Sequence, residues 1–219
     1  MRSLKGGIIM LSNRFAAFRG LQVSSFVVML CLILVLGGCS GTEEAGGERQ
    51  FDENGLFVSE VMNYDELKAY YSQDKEISLN DAQGKLAQMG ITGEEESTYR
   101  VVVQQVEGSE KYAPCIELYL ITPGDENDGK IKKIQKAELS VSLDQQEAVF
   151  FGDLVCWLRD NNKIEYSLNG DLFGPADITE DVICREETDD GIIQLHYLPK
   201  TEGKREGSEY INVHQFITL

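Results

Sequence analysis

Ala137-Glu138-Leu139-Ser140-Val141-Ser142-Leu143-Asp144 alternate apolar and polar side chains without a break. Successive side chains of a strand point to opposite faces, so this octet reads as a strand with one face packed and one in water. Ile164, Tyr166 and Leu168 repeat the alternation, and Asn169-Gly170 behind them is a hairpin-turn signal. Tyr99–Val106 and Cys115–Thr122 are rich in Val, Ile and Tyr, as strands are. Further strand candidates are Ala148–Leu158, Ile178–Arg185, Ile192–Leu198 and Tyr210–Leu219. Turn residues separate them at Pro123-Gly124, Asp128-Gly129, Asp160-Asn161-Asn162, Asp190-Gly191 and Glu202-Gly203. Seven or eight short strands so spaced predict an antiparallel β-sandwich or barrel-like sheet. No helix–strand rhythm follows residue 97, which argues against a doubly wound nucleotide fold.

Upstream, the period is that of a helix. Asn63 is placed to cap a short helix over Tyr64–Ser72, with Glu66 in its first turn and Leu67, Tyr70 and Tyr71 available for packing. A second helix starts behind Ser78, with Asp81 completing a capping box. Leu79, Ala82, Leu86 and Met89 recur at helical spacing before Gly90, a left-handed C-cap residue. The predicted class is therefore mainly β (α+β), with one or two short helices leading into a single β-rich domain over residues 59–219.

The chain has 219 residues, 42 % of them hydrophobic and 26 % charged, which is the composition of a folded protein. It is too short for a two-lobed solute-binding protein. With 20 Lys+Arg against 37 Asp+Glu and a net charge of −17, it lacks the basic patches that nucleic acid requires.

The first forty residues read as an address. Arg2, Lys5, Arg14 and Arg19 precede the apolar run Phe26–Leu36, and no acidic residue occurs before Glu43. Eleven apolar residues are short for a spanning helix, which needs about twenty. A positive flank, a short apolar run and small residues behind it are the parts of a secretory signal peptide. Met10 is an alternative start, since Arg14 and Arg19 alone supply the positive flank. Leu36-Gly37-Gly38-Cys39 resembles the lipobox of bacterial lipoproteins. That resemblance implies a signal peptide over residues 1–38, cleavage after Gly38, and a diacylglyceryl thioether on Cys39. Two acyl chains hold a protein stably at a membrane where one is marginal. The whole plan resembles extracytoplasmic lipoproteins of Gram-positive bacteria, a likeness of architecture that implies the outer face of the cell membrane and no chemistry.

Cleavage removes four positive charges and no negative ones, which takes the net charge from −17 to −21. Residues 39–58 are expected to form the lipidated cysteine and a flexible tether. Ser40–Gln50, almost free of apolar side chains, would reach about 18 Å on average. Cys115, Cys156 and Cys184 then remain. Cys156 and Cys184 read as small buried apolar side chains, with a Cys156–Cys184 disulfide as the alternative.

Residues that could carry chemistry are few. His196 and His214 each stand alone in strand candidates, and they could meet if their strands were neighbours. Asp125 and Asp128 lie in an acidic run that fails the spacing of an EF-hand loop; a solvated turn is the simpler reading and weak calcium binding the other. Cys115 paired with either histidine would be a cysteine hydrolase that nothing local supports. Glu94-Glu95-Glu96 reads as a solvated loop. Phe150, Phe151 and Trp157, like Tyr64, Tyr70 and Tyr71, serve either as core or as an exposed platform for sugars or peptides. No cofactor is implied. The function expected is a non-enzymatic binding or accessory module of the cell envelope, acting on an envelope protein, peptide or wall polymer; an envelope hydrolase using carboxylates or a metal is the alternative.

Overall fold

The structure is a computed structural model that describes residues 49–93, 97–123, 130–144, 146–174, 182–189, 191–199 and 209–219. All of these belong to one compact unit. Among the described residues ten strands form two five-stranded antiparallel sheets. In the first sheet the order is β1 (Leu56–Val58), β2 (Thr98–Gln105), β3 (Tyr112–Thr122), β4 (Lys133–Leu143) and β5 (Gln146–Glu147). In the second, β10 (Glu209–Thr218) lies beside β7 (Lys163–Phe173), then β6 (Val149–Asp160), β9 (Ile192–Pro199) and β8 (Val182–Asp189). The mainly-β, sandwich-like class predicted from the alternation is the one observed.

Two cores explain why the strands read differently. Val102, Ile116, Leu118 and Leu120 of the first sheet meet Leu154, Cys156, Tyr166, Leu168, Leu195 and Ile211 of the second in the sandwich interior. The opposite face of the first sheet buries Val101, Val103 and Tyr119 beneath α1 (Tyr64–Asp74) and α2 (Leu79–Gln88). A strand buried on both faces loses its polar alternate positions, which is why β2 carries Val101-Val102-Val103 in succession. The second sheet carries no helix on its other face among the described residues, and β7 alternates apolar and polar side chains until Leu172, where Phe173 follows, buried against Phe151.

Both helix caps form as their residue types predict. The Asn63 side chain accepts from the Glu66 N–H at 3.0 Å, while the Glu66 carboxylate accepts from the Asn63 N–H at 2.8 Å. Ser78 accepts from the Asp81 N–H, and Gly90 takes φ +75° behind α2. Leu79, expected on the packed face, is 53 % exposed; Ala82 and Leu86 do the packing.

Three expectations are corrected. Asn169-Gly170 is not a turn: β7 runs through it, with Gly170 opposite Gly152 on one side and Ile211 on the other. The turn into β7 is Asn161-Asn162, and Asn169-Gly170 carries the turn pattern because Gly170 meets a different demand. A Cβ there would collide with the Phe151 carbonyl oxygen and the Phe150 ring. The tether expected over residues 39–58 does not hold for residues 49–58. Leu56–Val58 pairs with Val102–Gln104, and the chain is already held at Arg49. Cys156 is fully buried, but Cys184 is exposed and both are free thiols, so no Cys156–Cys184 disulfide is present.

Candidate functional site

Two places on the domain gather polar chemistry. The first lies between α1 and the helix-covered face of the first sheet. Glu117 on β3 is buried there, and its carboxylate accepts from Arg49 at 2.9 Å, Lys75 at 2.7 Å and the Tyr119 hydroxyl at 3.1 Å. Asp74, in the last turn of α1, binds the same two cations, Arg49 at 2.5 Å and Lys75 at 3.1 Å. The four groups form a closed ring of alternating charge. Burial works against the Lys75 ammonium, but Glu117 and Asp74 outweigh it and push its pKa up. Burial and the charge of Glu117 raise the neighbouring Tyr119 hydroxyl too, so it stays a neutral donor. Arg49 also reaches the Tyr70 hydroxyl and lies 5.8 Å from the Phe57 ring centroid. The ring fastens the start of the described chain to a strand 68 residues further on.

Beside this ring opens a cavity of about 340 Å³, between β4 and the β8–β9 pair. Lys75, Glu117, Lys136, Glu138, Cys184 and Tyr197 contribute to its wall. Burial raises the Glu138 carboxyl, opposed by Lys75. Lys136 pairs with Glu186 across the opening, joining the two sheets.

The second place is the uncovered face of the second sheet. Glu165 on β7 sits at its centre, 7 % exposed, and binds Arg159 of β6 and His214 of β10. The Arg159 hydrogen bond, reinforced by His214, holds the Glu165 carboxyl below the usual range. Trp157, His214 and Phe216 are a contiguous aromatic row, with ring centroids 6.3 and 6.0 Å apart. Arg159 lies over the Trp157 ring and Lys163 over Phe216 at 4.0 Å. Of the aromatic group in β6, Phe150 faces the core while Trp157 lies on this face. Tyr71 is core, and Tyr64 and Tyr70 are partly buried against it.

His196 and His214 share this face but do not meet. Strands β7 and β6 separate them, about 14 Å at the usual strand spacing. Each has its own carboxylate: His196 Nδ1 is 2.6 Å from Asp153, and His214 Nε2 binds Glu165. Cys115 packs on the helix side of the first sheet, so a Cys115–His pair is not formed. Burial pushes its thiol up to about 11, the reverse of an activated nucleophile. Among the described residues no cluster of three or more His, Cys, Asp or Glu is arranged to hold a metal. Gly38, Cys39, Glu94–Glu96, Asp125 and Asp128 lie outside the described residues. Sequence reading missed the charge ring, because Arg49, Asp74, Lys75 and Glu117 share no spacing that a linear pattern could reveal.

The fold and these two polar sites define a two-sheet β-sandwich with a helical cover on one side. No family model, curated protein or solved structure matches the chain.

Proposed function

We propose that this protein is a lipid-anchored extracytoplasmic lipoprotein whose β-sandwich is a non-enzymatic binding or accessory module of the cell envelope. The observation that carries the reading is the order Phe26–Leu36, Gly37-Gly38, Cys39, followed within ten residues by Arg49, where the charge ring grips the chain. Nine residues, Ser40–Glu48, separate Cys39 from Arg49 along the sequence. A body of net charge −21 is repelled by anionic headgroups, so the lipid rather than the protein surface makes the membrane contact. The binding half of the reading draws support from the open face of the second sheet, which offers Trp157, His214 and Phe216 beside Asn169, Asp153 and His196.

The test is metabolic labelling with a radioactive fatty acid in cells producing the wild type or Cys39→Ala. Label on the wild type alone, together with its recovery in the membrane fraction, is the expected result. Equal labelling of both chains would overturn the anchor. Co-sedimentation of the protein with isolated wall polymer, compared with Trp157→Ala, reads the binding face; identical behaviour of the two would remove that face from the proposal.

A further inference from the structure

Among the described residues the second sheet ends in β10, a ten-residue strand paired on one side only. All ten residues pair with β7 in unbroken register. No described residue makes a backbone hydrogen bond along its other edge. Alternate N–H and C=O groups along that edge therefore point outward, a template for another strand. The protections that a strand carries in its own sequence are missing. Glu-Tyr-Ile-Asn-Val-His-Gln-Phe-Ile-Thr contains no Lys, no Pro and no bulge, and its one acid is at the end, in a chain of net charge −17.

The strand is also complementary to itself. Among the described residues Tyr210 and Phe216 are the two most exposed large aromatic side chains, 60 % and 53 %, and both project onto the open face. They lie equally far from Val213, three residues on either side. An antiparallel pairing of two β10 strands about a twofold axis at Val213 sets Tyr210 of each opposite Phe216 of the other. The same register places Asn212 opposite His214, Ile211 opposite Gln215, and Val213 opposite itself. Every pair then has both side chains on the same face, as the period of two demands. A register centred on His214 keeps the faces but sets Tyr210 opposite Thr218 and Asn212 opposite Phe216, and the aromatic match is lost.

We propose that β10 is an edge-to-edge interface with a second copy of this chain, joining the two second sheets into one of ten strands. The partner is a copy rather than a foreign peptide because Tyr210 and Phe216 are spaced symmetrically about Val213, so a single register sets the exposed aromatics of one strand against those of the other. The inference is independent of the lipid anchor, since it needs only the folded domain.

The experiment uses the full chain. Sedimentation gives the mass of the wild type, Tyr210→Lys and Phe216→Lys, whose side chains are exposed so that folding is retained, as circular dichroism checks. Dimeric wild type and monomeric lysine variants are expected. In a background with Cys31→Ser, Cys39→Ser and Cys184→Ser, Val213→Cys is oxidised and run on a non-reducing gel, with Val182→Cys on the far edge strand β8 as comparison. Dimer-sized Val213→Cys and monomeric Val182→Cys are expected. A wild type that stays monomeric at its highest soluble concentration, lysine variants that remain dimeric, or crosslinking through Val182→Cys instead would each overturn the proposal.

Discussion

Gly152 and Gly170 lie opposite each other in β6 and β7, with the ring of Phe150 against both. Gly152 holds φ +152°, which side-chain-bearing residues rarely adopt, and a Cβ on it would strike the Asn169 carbonyl oxygen. Phe150 occupies the volume that two side chains would have filled, so the sheet stays packed without them. Alanine at either position forces backbone apart rather than a mobile side chain. Gly170→Ala is expected to cost about 1–3 kcal/mol, the usual range for overpacking. Gly152→Ala, which adds backbone strain, costs more. Urea denaturation monitored by Trp157 fluorescence measures both. A loss smaller than about 0.5 kcal/mol, the range of ordinary surface changes, would refute the packing account.

The ring of Arg49, Asp74, Lys75 and Glu117 predicts an unequal response to mutation. Removing Glu117 leaves two cations and the Tyr119 hydroxyl facing one remaining carboxylate in a half-buried site. Glu117→Ala should cost about 3 kcal/mol, as for one partner of a buried ion pair. Arg49→Ala removes a group that retains solvent access, so the expected cost is about 1 kcal/mol. Its larger consequence is local. The segment between Arg49 and β1 loses its fastening and becomes sensitive to protease at native stability. Limited proteolysis with mass spectrometry reads this directly, and unchanged cleavage in Arg49→Ala would show that β1 alone secures the segment.

Glu138 and Glu165 titrate in opposite directions. Burial raises the Glu138 carboxyl, so the folded state binds a proton more readily than the unfolded state. Its contribution is therefore lost as pH rises from the ordinary carboxylate range through the raised value. Glu138→Gln, neutral at every pH, should be stabilising at neutral pH and lose that advantage in acid. Glu165 is held low by Arg159 and His214, so its contribution is present above the ordinary carboxylate range and disappears as pH falls through the lowered value. Arg159→Ala should flatten that acid-side loss. Midpoints of denaturation at a series of pH values decide both, and a Glu138→Gln variant that is destabilised at neutral pH contradicts the first.

How far the sequence could carry this picture depended on whether information was local. Caps are local: Asn63 with Glu66 and Ser78 with Asp81 are written within four residues, and both helices start where those residues are. Strand alternation is also local, and β4 and β7 follow from it. Asn169-Gly170 failed because a glycine has two uses. The dipeptide pattern of a turn cannot reveal that the ring of Phe150, twenty residues earlier, leaves no room for a Cβ. β1 was missed because three residues are too few to show a period, and its existence rests on pairing with Val102–Gln104. The histidines shared a face as alternation allowed, yet strand order put β7 and β6 between them, and order is not written in any single strand. The charge ring depends on residues 49 and 117 meeting, which only the folded topology provides.

The three described cysteines provide a last check on that topology, because each occupies a different layer. Cys156 lies in the sandwich core, where burial pushes its thiol up to about 12. Cys115 lies under the helices and is pushed up to about 11 by burial and by Glu117. At pH 8 a thiol with that value is ionised in about one molecule in a thousand, and only thiolate attacks a thiol reagent. Cys184 is exposed on the edge strand β8, opposite Tyr197. Burial raises its thiol as well, but the Tyr197 hydrogen bond and the nearby Lys136 work the other way. A maleimide should therefore label Cys184 first in the native protein. Cys115, partly buried under the helices, should follow more slowly and Cys156 only at the rate of global unfolding, with all three labelled in urea without reductant. Native labelling of Cys156 ahead of Cys184, mapped by peptide mass, would place β6 on an outer edge and invalidate the strand order β10-β7-β6-β9-β8.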